Sequence, residues 1–186
     1  PAWHTGQAVK ALIMAAGILE KPELIEKAKF NAEFIMRNRI REGEDRGLIL
    51  AFEDHFDKIN TSAIIETLDG LLMLGGEYQR AAIEALDWVR RKAWVAEKNH
   101  FNDVYDPFAR KFILKIQAAQ GRPLLDDALF IKVWHLTGDG EFRRIALATA
   151  ETLLRDEAPP GNWIKYIPCS SRNGNIHPRH AYWWGF

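Results

Sequence analysis

The chain has 186 residues, of which 47% are hydrophobic and 27% charged, values typical of a globular protein long enough to bury a real core. It carries 25 Lys and Arg against 25 Asp and Glu, so a dedicated nucleic-acid binder, which normally has a basic excess, is not expected. No apolar run has the length of a membrane span. The single cysteine, Cys169, excludes a disulfide framework and a cysteine metal site within the chain.

An internal repeat dominates the sequence. Apolar stretches begin at Ala11, Gly70 and Ala128, which are 59 and 58 residues apart. Each runs into a short turn marked by Pro22 or by glycines, residues that suit helix ends, and an amphipathic stretch follows. An apolar helix followed by an amphipathic one predicts a buried inner helix and an outer helix with one wet face. The sequence therefore predicts an all-α fold of stacked αα-hairpins.

The repeat predicts one helical-hairpin array over residues 1–186. The hairpins are expected at about 5–40, 61–97 and 123–156, followed by an aromatic C-terminal segment at 158–186. Longer polar segments join the hairpins, and loops collected on one face of a rigid scaffold are where function usually lies.

Four short segments carry a resemblance to a known superfamily: residues 3–6, 123–128, 136–139 and 179–185. In these segments, and in the rhythm of its hairpins, the chain resembles the (α/α) toroid enzymes, the six-hairpin glycosidase and polysaccharide lyase superfamily. The resemblance implies an incomplete (α/α) toroid of about three hairpins plus the C-terminal segment. It implies a fragment of a larger toroid, an open array, or self-association through an exposed hairpin face. Trp3 and His4, before the first inner helix, become candidate substrate contacts.

Asp126 and Asp127 directly precede the third apolar stretch. In unsaturated-glucuronyl hydrolases of this superfamily an aspartate of a similar pair is the general acid or base, and the resemblance implies that role for one of the two. Neighbouring helical residues point about 100° apart, so only one would face a cavity. Acids at a helix N-terminus also cap free N–H groups, and we expect at least one of the pair to do so.

The first long loop contains Asp54 and His55 among further acids. These residue types could bind a sugar or a metal. A histidine without a second histidine four residues away is not a zinc signature, so no metal site is expected.

The second long loop offers two interpretations. Asp103, Tyr105 and Arg110 suit contacts to a sugar. Alternatively, the loop is a capped turn at Asp106–Pro107, with Phe101 and Phe108 in the core.

The C-terminal segment is basic and aromatic, with two Arg, one Lys, two His and no acid from Ala158 onward. Aromatic rings suit the C–H faces of sugars, and Arg suits a carboxylate, so the segment favours a uronate-bearing chain. His180 is a candidate catalytic base. The candidate substrate contacts here are Arg172, His177, Arg179, Trp183 and Trp184. The alternative is that the two tryptophans begin a fourth inner helix.

Two acids, Glu66 and Asp69, interrupt the second apolar stretch three residues apart and so share a helix face. Acids in an apolar helix need partners or a water-filled cavity. We interpret them as part of a buried polar network or as residues of the ring lumen.

The leading functional hypothesis is a hydrolase or lyase acting on a polysaccharide or oligosaccharide, with carbohydrate as partner and no cofactor. A non-catalytic helical-repeat module that binds glycan or protein is the alternative, as is a sugar epimerase that would use His177 and His180. The compartment stays open between the cytoplasm and a secreted or periplasmic location after signal removal.

Overall fold

A computed structural model describes residues 2–50, 59–113, 128–158 and 160 of the chain. The described residues form six α-helices in three αα-hairpins. The helices are α1 (Ala2–Ile18), α2 (Glu23–Arg37), α3 (Thr61–Leu74), α4 (Gly76–Trp88), α5 (Leu129–Thr137) and α6 (Gly140–Asp156). This confirms the all-α fold of αα-hairpins that the repeat predicts.

Short strands and helical turns accompany the hairpins. The strands are β1 (Ile59–Asn60), β2 (Trp94–Val95), β3 (His100–Phe101), β4 (Val104–Asp106) and β5 (Lys111–Phe112). Strands β1, β4 and β5 form one small sheet in that order, and β2 pairs with β3. A π-helical turn (Val89–Ala93) extends α4.

The chain divides into two compact units. The first comprises Pro1–Lys92 with Tyr105–Lys111, and the second Ala93–Val104 with Phe112–Phe186. The first unit therefore contains the hairpins α1–α2 and α3–α4, and the second contains the hairpin α5–α6.

Helices α1 and α3 form the close-packed contact of the first unit, and two glycines permit it. A Cβ on Gly6 would lie 2.5 Å from the Thr67 backbone, and one on Gly70 would lie 2.6 Å from the Gly6 carbonyl oxygen. Gly6 of α1 lies beside Thr67 of α3, and Val9 and Lys10 of α1 lie beside Gly70 of α3. Residue numbers therefore increase in the same direction along both helices, which run parallel. Their N-termini therefore lie at the same end of the unit.

The outer helix α4 has the amphipathic form that the sequence predicts. Ala82, Ala85, Leu86 and the following Val89 are all buried. Their spacing places them on one face, which packs towards α3.

The prediction of an inner helix buried nearly all round holds for most of α3 but is wrong for the C-terminal part of α1. In α3, Ile64, Leu68 and Leu71 are buried, although Met73 near the helix end is 44% exposed. In α1, by contrast, Met14 is 49% and Ile18 78% exposed. The reason is that, among the described helices, α1 packs mainly against α2 and α3, and these two neighbours do not surround it.

The hairpin of the second unit turns through a well-capped connection. Gly138, in the left-handed region at φ 73°, ends α5 and donates its N–H to the Trp134 carbonyl at 2.7 Å. Asp139 begins α6 by accepting the Glu141 N–H at 2.9 Å. The rings of Phe130 and Phe142 then pack across the hairpin at 6.0 Å.

Candidate functional site

Five predicted site residues lie among the described ones: Trp3, His4, Asp103, Tyr105 and Arg110. The other candidates lie outside the described residues: Asp54, His55, Asp126, Asp127, Arg172, His177, Arg179, His180, Trp183 and Trp184.

Trp3 and His4 lie in the first turn of α1, at the end of the unit where α1 and α3 both begin. Trp3 is half-buried and His4 is exposed. Their rings meet edge to face at 5.3 Å between centroids. A half-exposed indole held by a neighbouring ring is a suitable surface for the apolar face of a sugar.

A charged pair joins the two inner helices further along. Lys10 of α1 places its Nζ 2.9 Å from an Asp69 carboxylate oxygen of α3, and the Asp69 side chain is only 3% exposed against 31% for Lys10. A buried carboxylate is costly without a partner of opposite charge, and Lys10 supplies one. Asp69 is thus a buried acid with a charged partner, as the sequence analysis expects of an acid in an apolar helix. Glu66, one turn earlier, is half-buried on the same helix.

A buried carboxylate that the sequence did not single out, Asp45, lies in the turn after α2. Asp45 Oδ1 accepts the Tyr105 hydroxyl at 2.8 Å and the Trp88 indole N–H at 3.2 Å. Burial, together with the hydrogen bond to Asp45, raises the pKa of Tyr105, so the phenol stays protonated. The same two aromatic rings pack edge to face at 5.0 Å.

Asp45 is positioned by a tight turn that is anchored on α4. Leu48 N–H donates to the Asp45 carbonyl at 3.0 Å, and Gly47 has φ 97°. A Cβ on Gly47 would lie 2.5 Å from the Glu84 carbonyl oxygen, so a larger residue would push the turn off the helix. Arg39 and Arg46 both pair with the Glu84 carboxylate. The sequence signal for this turn is the pair of glycines at 43 and 47 around a charged run.

The second long loop contains the capped turn that one interpretation predicted. Asp106 accepts the N–H groups of Phe108 and Ala109 at 2.9 and 2.8 Å. Phe101 is fully buried as that interpretation requires, whereas Phe108 is 78% exposed and does not reach the core.

The three candidate sugar contacts of this loop differ in accessibility. Asp103 is 5% and Tyr105 2% exposed. The Arg110 side chain is 63% exposed and lies 3.8 Å from the Glu44 carboxylate, which also has Lys92 at 3.9 Å. Arg110 is therefore the accessible member of the three.

No group of three or more metal-ligating side chains occurs in the described part of the chain. Among its helices, none combines the length and the apolar character needed to cross a membrane.

Comparisons with known proteins relate the chain to others through its fold. No protein-family profile matches it, and no curated protein does. Among solved structures, a selenomethionine derivative of a GH76 alpha-mannanase from Bacteroides thetaiotaomicron matches with a TM-score of 0.62 and 17% identity. The match covers 83% of this chain and 44% of the mannanase chain, so this chain spans less than half the length of its structural neighbour.

The class of fold follows from this match. The mannanase is an (α/α) toroid, and the three αα-hairpins described above are the hairpins of an incomplete (α/α) toroid. The fold that the sequence resemblance implies is confirmed.

Proposed function

We propose that the protein is a glycoside hydrolase of the (α/α) toroid type, acting on a polysaccharide or oligosaccharide. The observation that carries the proposal is the structural match to an alpha-mannanase over 83% of the chain. That neighbour is named as a glycosidase, which favours hydrolysis over the elimination reaction of a lyase.

Asp126 and Asp127 are the proposed source of the general acid or base. They stand three and two residues before Leu129, where α5 begins. A carboxyl group at the start of an inner helix would lie at the same end of its hairpin as Trp3 does in the first hairpin. We assign one of the pair to the reaction and the other to the helix N-terminus.

Glycoside hydrolysis needs a second carboxyl, about 5–5.5 Å from the first for retention and about 6.5–9.5 Å for inversion. Asp54 and Asp103 are the candidates. Asp103 is only 5% exposed, and Asp54 lies outside the described residues, so both stay candidates. The protonated carboxyl would give its proton to the glycosidic oxygen as the bond to the anomeric carbon breaks. The carboxylate would either attack that carbon or take a proton from the attacking water.

The proposed substrate contacts include residues that the structure describes and residues that lie outside the described ranges. Trp3 offers a half-exposed ring face, and His4 and Arg110 offer exposed polar groups. The remaining proposed contacts are His55, Arg172, His177, Arg179, Trp183 and Trp184. Tyr105 is not among them, because its side chain is buried and its hydroxyl donates to Asp45.

The test compares the protein with its Asp126→Asn and Asp127→Asn variants on α-mannan, other neutral glycans and uronate-bearing glycans, by release of reducing ends. One variant should lose about 10²–10⁴-fold in turnover while still binding substrate. Glu151→Gln, which removes an exposed carboxyl of α6, is the matched control and should keep wild-type turnover.

Two results would contradict this proposal. Absence of turnover on every glycan by the wild-type protein would favour a binding module. Formation of an unsaturated uronate, seen by its ultraviolet absorbance, would instead indicate a lyase with His180 as the base.

A further inference from the structure

The three segments that meet at the buried Asp45 carboxylate lie at one end of the first unit. Asp45 follows α2, its indole donor Trp88 ends α4, and its phenol donor Tyr105 lies in β4. The helices of an αα-hairpin are antiparallel, so α2 and α4 end where α1 and α3 begin. Strand β1, in the same sheet as β4, leads directly into α3. Trp3 and His4 lie at this same end.

Each of the three segments also places a charged side chain at the surface: Glu44, Lys92 and Arg110. Lys92 Nζ lies 3.9 Å and Arg110 Nη1 3.8 Å from the same oxygen, Glu44 Oε2. The side chains of Glu44 and Arg110 are 67% and 63% exposed, and that of Lys92 is 30% exposed. Because the segments are joined by the hydrogen bonds of Asp45, the fold itself holds the two cations near each other.

The Glu44 carboxylate does not saturate these two cations. An N–H···O hydrogen bond spans about 2.7–3.2 Å, and the oxygen of Glu44 lies farther than that from both nitrogens. The ion pair between Arg144 and Glu141 of α6 is closer, at 2.9 Å. Within the described ranges, neither Lys92 nor Arg110 has a shorter ion pair than the one with Glu44. An exposed pair at such a separation contributes little to stability, so the N–H donors of both cations remain available to an anionic ligand.

A carboxylate group suits this pair of cations. The Arg guanidinium can donate two parallel hydrogen bonds to a carboxylate, and the Lys ammonium adds a compact positive charge. We propose, building on the glycoside hydrolase function proposed for this chain, that Lys92 and Arg110 bind the carboxylate of a uronate residue in the glycan. Glu44 competes with that carboxylate for the two cations. Trp3 and His4, proposed contacts for the glycan, lie at the same end of the unit.

The test is a calorimetric titration of the whole chain at low ionic strength, where exposed charges are least screened. The ligands are a galacturonate oligosaccharide, a mannose oligosaccharide of equal length and inorganic phosphate. The galacturonate oligosaccharide should bind more tightly than the mannose oligosaccharide. Arg110→Ala and Lys92→Ala should each weaken galacturonate binding about 3- to 10-fold, and by a larger factor than they weaken mannose binding.

Glu44→Gln should have the opposite effect and tighten galacturonate binding about 2- to 5-fold, because it removes the competing charge and keeps the size of the side chain. An ion pair with a purely structural role would not produce this gain. Arg144→Ala and Glu141→Gln are the matched controls, since they remove one partner of an exposed ion pair on α6. Both should leave the affinity unchanged, and circular dichroism should show that all variants keep their helices.

Galacturonate binding that is no tighter than mannose binding, or that Glu44→Gln fails to tighten, would overturn the proposal. Phosphate binding that depends on Arg110, without such dependence for the galacturonate, would also overturn it and would assign the pair to a free anion. Turnover of neutral glycans without a preference for galacturonate would remove this site and leave the hydrolase function standing. Galacturonate binding that depends on Lys92 and Arg110, without turnover of any glycan, would support the site and remove the hydrolase function.

Discussion

At the scale of single residues, one carboxylate holds together three distant segments of the first unit. Asp45 comes from the turn after α2, Trp88 from the end of α4 and Tyr105 from β4, and all three are buried. The sequence could not predict this set, because 43 and 60 residues separate Asp45 from its two donors. The sequence around Asp45 is a run of charged residues, which is typical of a solvent-exposed loop.

Glu20 has a backbone conformation that is poorly suited to a residue with a side chain. It lies at φ 53°, the left-handed region where helix ends normally have glycine. The following Lys21 N–H donates to the Ala16 carbonyl at 3.0 Å, which completes the helix end. We expect Glu20→Gly to raise the free energy of unfolding by about 0.5–1 kcal/mol, measured by urea denaturation.

The control for this prediction is Glu20→Ala, which removes the charge but keeps a Cβ. If the backbone conformation is the cause, Glu20→Ala should gain clearly less stability than Glu20→Gly. An equal gain would indicate that removing a negative charge from the C-terminal end of α1 is responsible instead.

At the scale of elements, the contact between α1 and α3 depends on the absence of side chains at two positions. A Cβ at Gly6 would lie 2.5 Å from the Thr67 Cα and carbonyl oxygen, atoms of the backbone that cannot rotate away. Gly6→Ala should therefore lower the free energy of unfolding by about 1–3 kcal/mol, and Gly70→Ala should have a similar effect. Urea denaturation followed by circular dichroism measures both.

Gly17→Ala is the matched control on the same helix. A Cβ there meets no atom within 4 Å, and alanine is the better helix former, so this change should stabilise the protein by about 0.5–1 kcal/mol. Loss of stability at Gly17 equal to that at Gly6 would mean that helix α1 tolerates alanine poorly for another reason.

The hairpins themselves were predictable because their signal is local. Amphipathic spacing of Ala82, Ala85 and Leu86 predicts the buried face of α4, and Gly138 with Asp139 predicts the turn between α5 and α6. The exposed face of α1 was not predictable, because Met14 and Ile18 are as apolar as residues of a fully buried helix. An exposed apolar helix face differs from a buried one only in whether other helices pack against it.

At the scale of the whole molecule, the spacing of 59 and 58 residues between apolar stretches was sufficient to predict the fold class. A site formed by several loops depends on how distant segments of the chain approach each other. The residue types within one loop do not indicate that approach. Tyr105 illustrates the difference. Its residue type suits a sugar contact, but its hydroxyl donates to Asp45 and its side chain is buried.

The class of substrate is the prediction that involves the whole molecule. The basic residues from Ala158 onward have no acids among them, so we expect tighter binding of uronate-bearing oligosaccharides than of neutral ones. A titration that follows tryptophan fluorescence, with seven Trp in the chain, should give a saturable response to the uronate set. Arg179→Ala should weaken that response about 10- to 100-fold, because a charge-assisted hydrogen bond contributes about 1.5–3 kcal/mol.

Arg80→Ala, which removes an exposed cation of α4, distinguishes a specific contact from a general effect of charge. It should leave the affinity for uronates unchanged, since Arg80 is not among the proposed contacts. If the protein binds neutral mannose oligosaccharides as tightly as uronates, and Arg179→Ala changes neither affinity, the substrate is neutral. The basic residues of the C-terminal segment would then serve the fold or its assembly, because a carboxylate-binding Arg is needed only where the ligand carries a negative charge.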